Sequence, residues 1–278
     1  MKELYDNVSI QCSEITTLAY STSFSIGIQC LGKELRNPIH SIYGFVRFAD
    51  EIVDSFHDYN KRELLSRFRQ DAFRSIEEGI SLNPILNSFQ STVRKYKIEN
   101  SLIDQFLKSM EMDLSVREHS KTTIDEYIFG SAEAVGLMCL EVFCQGNKQL
   151  YNDLKGYAMH LGAAFQKVNF LRDLQADFIG MGRNYFPGLQ TQEFDDNSKK
   201  KIEDGIKKDL DEGFKGIKKL PRSSRFGVYV AYVYYLALFN KIRNTPSEMI
   251  LNRRIRIRRR HKATLLAYSY VKHQLNLI

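Results

Sequence analysis

Asp50 and Asp54, and again Asp173 and Asp177, stand four residues apart in the chain. At that spacing two side chains share one face of a helix, so each pair aims two carboxylates at one spot. Like charges so placed cost a helix roughly 0.2–0.5 kcal/mol, and Asp is already a poor helix former. A chain that accepts this twice, in segments otherwise rich in apolar residues, points to hard cations. If the two helices face each other, each like-charged pair at about 5 Å and an effective dielectric of about 20 costs about 3 kcal/mol. Mg²⁺ reverses that sign, and Mn²⁺ suits the same oxygen donors. Mg²⁺ is usually held by a few carboxylates, waters and substrate phosphates, which implies a diphosphate or polyphosphate ligand. Bound there, it would stabilise a departing diphosphate as a Lewis acid. The six histidines are scattered, so no zinc cluster competes with this reading.

On a helical projection Tyr43, Arg47, Asp50, Glu51 and Asp54 fall within an arc of about 100°, opposite Ile42, Phe45, Ala49 and Val53. That stripe fits an ordinary solvated face as well as it fits a site. The second stripe is more telling. Gly162, Gln166, Asn169, Asp173 and Asp177 lie within about 80°, between shoulders of Phe165 and Ala176 on one side and Phe170 and Leu174 on the other. Lys167 and Arg172 are expected to point elsewhere and leave both aspartates unneutralised. A narrow carboxylate and amide stripe is expected of a helix lining an enclosed polar cavity.

Helices must carry these groups. Asn37-Pro38 and Asn83-Pro84 each place a capping Asn before a Pro suited to a first helical position, and Thr123 with Glu126 has capping-box spacing. Periodicity predicts helices at roughly 39–57, 84–96, 100–118, 124–144, 150–179 and 224–243, with a polar surface loop at 188–204. Five prolines and few alternating runs argue against sheet, and 43% apolar residues in 278 support a sizeable core. No repeat or linker divides the chain, so one all-α domain is expected. Four cysteines without Cys-x-x-Cys spacing read as buried thiols of a reducing compartment. There is no signal-like N-terminus, and the apolar run 226–239 falls short of the ~20 residues a bilayer span needs; the expected location is cytoplasmic.

The net charge of +7 is local. Arg253, Arg254, Arg256, Arg258, Arg259, Arg260 and Lys262 carry seven of the 40 basic residues, and the remaining 33 balance 33 acidic ones. Ile255 and Ile257 interrupt the run and no recognition motif accompanies it, so nucleic acid is not expected as a partner. Peripheral contact with anionic lipid headgroups suits it better.

The segment from Asn169-Phe-Leu-Arg-Asp173 to Asp177, followed by Gly182-Arg-Asn-Tyr-Phe-Pro187, resembles the squalene/phytoene synthase family. Tyr43-Gly-Phe-Val-Arg-Phe-Ala-Asp-Glu-Ile-Val-Asp54 is similar to that family's first aspartate-rich motif, and Ser21-Thr-Ser-Phe-Ser25 to its Ser-rich substrate-contact segment. The resemblance implies a single-domain helical bundle of the class I isoprenoid synthase type, with a central cavity capped by facing Asp motifs. It implies a Mg²⁺ cluster on Asp50, Asp54, Asn169, Asp173 and Asp177. It also implies that Ser21, Ser23, Tyr43, Arg47, Gln166, Arg172, Arg183 and Tyr185 contact diphosphate or the reacting carbons. The expected reaction is head-to-head condensation of two geranylgeranyl diphosphates through a cyclopropyl intermediate to phytoene, without NADPH. Action on farnesyl diphosphate and a non-catalytic assembly role are the alternatives. Phe24, Phe45 and Phe129 are candidate cation-stabilising faces, each equally well read as core packing. In the family the C-terminal region helps close the diphosphate site, a role that would fall here to Arg253 or Lys262. Three positions depart from the pattern: Glu51 where Asp is common, Phe129 where Tyr is common, and Glu133 where a small residue is usual.

Overall fold

The computed structural model describes residues 1–180, 182–188 and 194–275, without the side chains of 178 and 179, and among these every regular element is helical. The chain opens with α1 (Lys2–Tyr20), α2 (Thr22–Gln29), α3 (Lys33–Asp54), α4 (Lys61–Glu78), α5 (Pro84–Tyr96) and α6 (Asn100–Ser115). A continuous stretch follows, made of α7 (Lys121–Ile128), a π-helical turn at Phe129–Glu133 and α8 (Ala134–Cys144). Next come α9 (Lys148–Gln175) with a second π turn at Ala176–Gly180, then α10 (Asp196–Lys219), α11 (Arg222–Arg243), α12 (Ser247–Asn252) and α13 (Arg259–Gln274). The all-α class expected from the sequence is the one found.

Local signals account for some of these boundaries. Asn83 caps α5 through hydrogen bonds from the Ile85 and Leu86 N–H groups, with Pro84 in the first turn. Asn37-Pro38 does not act in that way: α3 starts at Lys33 and Pro38 lies inside it. Fully buried Leu35 and a hydrogen bond from Gly32 N–H to Ser223 C=O (2.7 Å) hold the extra turn in place despite the missing proline N–H. The Thr123/Glu126 capping box is also displaced, because Ser120 is the N-cap of α7 and accepts from Thr123 N–H. The surface loop expected at 188–204 gives way at Asp196 to α10, opened by a reciprocal Asp195–Ser198 capping box; positions 189–193 lie outside the described residues.

Two apolar clusters flank a cavity. Phe45, Phe89 and Phe106 centre the first, between α3, α5 and α6; Phe170, Leu171 and Phe239 belong to the second, between α9, α10 and α11. α9 is the shared wall, packed against α8 on one side and α10 on the other. The stretch 121–144 is apolar and long enough to cross a bilayer, which the run 226–239 is not, yet 61% of its apolar window is buried inside the fold. It serves here as a core helix.

Candidate active site

The C-terminal halves of α3 and α9 bring the two aspartate pairs to one end of the cavity. On α3, Arg47 donates to Asp50 (2.6 Å) and to Glu51, and its guanidinium lies 4.3 Å from the Tyr20 ring centroid. The first stripe is therefore a cross-linked polar patch, with Arg47 Nε buried and without a partner. Burial pushes the Asp50 carboxyl well above the usual carboxylate range, and Asp54 adds to this.

On α9 the expected arrangement needs a correction. Arg172 does not point away: its guanidinium donates to Asp173 at 2.5 Å, and Arg254 reaches the same carboxylate at 2.6 Å. The long side chain of Arg172 folds along the helix surface onto its sequence neighbour, which the projection of Cα positions does not capture. Lys167 does point away, onto Asp209 (2.7 Å). Asp177 stands in the π turn at Ala176–Gly180 that follows α9, close enough to Asp173 for the two carboxylates to repel. The Asp177 carboxylate makes no hydrogen bond or ion pair with any described residue. Its carboxyl is pushed up to about 7, by burial first and then by Asp173.

Arg183 ties the two motifs together. Its backbone N–H donates to Asp177 C=O (2.8 Å) and its Nη1 to Asp54 Oδ1 (3.1 Å). The other arm, Nη2, donates to Asp113 C=O (3.1 Å). Asn184 N–H donates to Arg117 C=O and His119 N–H to Asn184 C=O, so the segment 183–186 is stitched to the end of α6. Asp113 itself went unnoticed in the sequence. It is 5% exposed and accepts from the hydroxyls of Tyr127 and Tyr185, each at 2.9 Å. Burial pushes its carboxyl up to about 6 against the pull of Arg183 and both tyrosines. Arg183 and Tyr185 are thus fixed supports at the junction of the motifs.

Below this junction lies a cavity of about 310 Å³. Tyr43, Gln166 and Asn169 form its polar mouth, with Tyr235 donating to Asn169 Oδ1 (3.3 Å). Its walls are otherwise apolar and draw on α2, α3, α8, α9, α10 and α11. Phe24 lines it, 6.0 Å from both Tyr43 and Tyr235, and Phe165 stacks on Tyr235 at 3.9 Å. Of the other two candidate aromatic faces, Phe45 is fully buried against Phe89 (3.9 Å), and neither it nor Phe129 lines the cavity. In the π turn at 129–133, Ser131 and Ala132 line the cavity instead, while Glu133 sits beside Lys167 and Asp209 with its carboxyl raised by burial.

Ser21 caps α2 by accepting from Phe24 N–H (3.2 Å), and Ser23 accepts from Lys262 (2.7 Å). The basic C-terminal segment therefore does reach the site, through Lys262 and through Arg254 in place of Arg253. Ile255 (3% exposed) and Ile257 anchor that crossing in the second apolar cluster.

The donor set fits a hard divalent cation. It consists of carboxylate and amide oxygens, and the charged forms of Asp50 and Asp177 are disfavoured by burial and by nearby carboxylates (Asp54 beside Asp50, Asp173 and Asp54 beside Asp177), which a cation would relieve. Among the described residues no three His, Cys, Asp or Glu side chains converge into a metal cage. A Mg²⁺ held here would complete its shell with water and substrate phosphate.

A family model described as squalene/phytoene synthase matches residues 17–261. The chain is 29% identical over 172 residues to a presqualene diphosphate synthase of Rhodopseudomonas palustris, a match covering 61% of this chain and 60% of that protein. It is 26% identical over 264 residues to phytoene synthase 1 of Solanum lycopersicum (87% and 62%) and 25% identical over 281 residues to a phytoene synthase of Cereibacter sphaeroides (92% and 78%). Two of these three matches thus span less than two thirds of the curated relative's length. Among solved structures, a dehydrosqualene synthase in complex with ligand shares the fold at a TM-score of 0.83 and 18% identity, over 97% of this chain and 98% of that one.

Proposed function

The chain belongs to the squalene/phytoene synthase family, and from that membership we propose that it is a prenyltransferase that condenses two prenyl diphosphates head to head. The observation that carries this reading is the joining of both aspartate motifs by Arg183 at the polar mouth of an apolar cavity. Geranylgeranyl diphosphate is the favoured substrate and phytoene the product, because two phytoene synthases match over 87% and 92% of the chain, though two others match over 63%. Farnesyl diphosphate is the second reading, since presqualene diphosphate synthases match at 29% and 30% identity over 61% of it.

Asp50, Asp54, Asn169, Asp173 and Asp177 would hold Mg²⁺, which supplies charge neutralisation of the diphosphate and Lewis-acid assistance to its departure. Arg47, Arg172, Arg254 and Lys262 are the cations placed to receive the departing group. The allylic C–O bond of one substrate breaks, and the double bond of the second attacks the cation. Loss of a proton then leaves a cyclopropyl diphosphate, which ionises again, rearranges and loses a further proton. The ring faces of Phe24, Phe165 and Tyr235 flank the cavity where positive charge develops and keep water out of it.

Product analysis tests the reading directly. Purified protein receives Mg²⁺ with geranylgeranyl or farnesyl diphosphate, each with and without NADPH. Phytoene from the longer substrate without NADPH is expected, and chelation with EDTA should abolish it. Squalene or presqualene diphosphate from the shorter one would move the substrate assignment. No turnover of either would favour a non-catalytic assembly role.

The outer face of the C-terminal segment serves contact with an anionic lipid surface. Arg256, Arg258, Arg259 and Arg260 are exposed, and further along the same C-terminal segment Tyr268, Val271 and Leu275 are 54–63% exposed. Each such cation near an anionic membrane is worth about 1 kcal/mol. Replacing Arg258, Arg259 and Arg260 by Gln should therefore weaken binding to phosphatidylserine vesicles by about two orders of magnitude. Sedimentation that is equal for the variant and the wild type would remove this role.

A further inference from the structure

We infer that Tyr157 is the plug at the deep end of the cavity and sets the length of prenyl chain that it accepts. This rests on the cavity being the prenyl site. The lining residues of α9 run from Asn169 at the polar mouth through Phe165, Leu161 and Ala158 to Tyr157, about 18 Å at 1.5 Å per residue, and end one turn further on at Leu154. The π turn at 129–133 and α8 run alongside, with lining residues from Ser131 to Phe143. At the far end Tyr157 differs from its neighbours. Leu154 and Leu220 are buried apolar side chains, whereas the Tyr157 ring lies in the wall and its hydroxyl reaches the surface. There it accepts from exposed Lys219 (3.1 Å), whose ammonium also lies 4.6 Å from the ring centroid. Tyr157 is thus a half-buried side chain that spans the wall at this end, from the cavity to the surface.

The root of the side chain is held by α10 as well. A Cβ built on Gly216 of α10 would come within 2.3 Å of Tyr157 Cβ, so only a glycine lets the two helices meet this closely. One helical turn earlier Gly213 meets Leu161 in the same way, its built Cβ 3.0 Å from Leu161 Cβ. The root of the Tyr157 side chain is consequently fixed against the α10 backbone, and a longer chain would have to turn the ring aside. The charge and hydrogen bond from Lys219 secure its outer edge, but the ring provides the obstruction.

The test uses the full-length protein with Mg²⁺ and unreactive S-thiolodiphosphate analogues of farnesyl, geranylgeranyl and geranylfarnesyl chains, with affinities measured by calorimetry. Tyr157→Ala and the milder Tyr157→Leu should raise affinity for the longest analogue relative to the shortest by at least tenfold. Tyr157→Phe, which keeps the ring, should leave the ratio unchanged. An unchanged ratio in folded Tyr157→Ala or Tyr157→Leu, or an equal shift in Tyr157→Phe, would overturn the assignment. Because binding is read rather than turnover, an absence of catalysis would count against the proposed reaction and not against the plug.

Discussion

Asp177→Asn is expected to lower kcat by about 10³-fold or more while leaving the fold intact. The magnitude follows from the several kcal/mol a metal Lewis acid contributes to a departing anion, at about 1.4 kcal/mol per tenfold. Asp177 is the cleanest of the four aspartates to change. Asp50 is tied to Arg47, Asp54 to Arg183, and Asp173 to Arg172 and Arg254, so each of those substitutions also strands a cation. Asp177 makes no such contact among the described residues, and asparagine keeps its shape. The metal-free protein should even gain stability. In the folded chain this carboxyl is raised from 3.8 to about 7, so its contribution is fully present below pH 3.8 and is lost as pH rises through about 7. The variant escapes that loss. Thermal unfolding without metal should therefore show the variant at or above the wild type at pH 8, while stabilisation by Mg²⁺ with inorganic diphosphate should shrink. A variant that keeps wild-type turnover would remove Asp177 from the catalytic machinery.

What could be read from the sequence follows the range of the forces involved. Asn83-Pro84 predicted its helix start because cap and helix are adjacent in the chain, and Gln166, Asn169 and Asp173 shared a predicted stripe because one helix carries them. α1 could not be read in that way. It buries Ser9, Ser13, Thr16 and Thr17 while Leu4, Ile15 and Leu18 remain exposed, the reverse of the usual amphipathic signal. The reason is a close approach: Ser13 bonds Ser88 at 2.6 Å, and a Cβ built on Gly44 would lie 3.1 Å from Ser13 Oγ. Small polar side chains let α1 sit on α3 and α5, and no periodicity of apolar residues reports that. α10 was hidden differently, since its many charges masked the buried line of Ile206, Leu210 and Gly213. The aspartate motifs were legible because each is local. Their junction was not, because Arg183 meets Asp54 from 129 residues away.

Asp113→Ala should be the most destabilising single change near the site and should also slow the reaction. The residue sits on α6 between Met112 and Leu114, with nothing in its local sequence to mark it. Its partners arrive from 14 and 72 residues away, as the hydroxyls of Tyr127 and Tyr185. Alanine would leave both hydroxyls buried without an acceptor and would remove one of the two carboxylates beside Arg183. Breaking a buried ionic contact by deleting one partner costs about 3–5 kcal/mol. At about 2–4 °C per kcal/mol for a chain of this size, the expected fall in Tm is roughly 6–20 °C. Asp113→Asn should cost less, because one tyrosine keeps its acceptor and the charge that burial penalises is gone. Stability alone would make Asp113 an ordinary buried anchor, so the second readout decides its role. Arg183 links this cluster to Asp54 by its side chain and to Asp177 by its backbone, and any slack in it separates the two aspartate pairs. Asp113→Asn is therefore expected to raise the Mg²⁺ concentration needed for half-maximal rate at a temperature where the variant is fully folded. A double-mutant cycle with Tyr185→Phe should show non-additive stability, as groups sharing one hydrogen-bond network do. Unchanged Mg²⁺ dependence would confine Asp113 to holding the fold, and the two aspartate motifs would then owe their alignment to α3 and α9 alone.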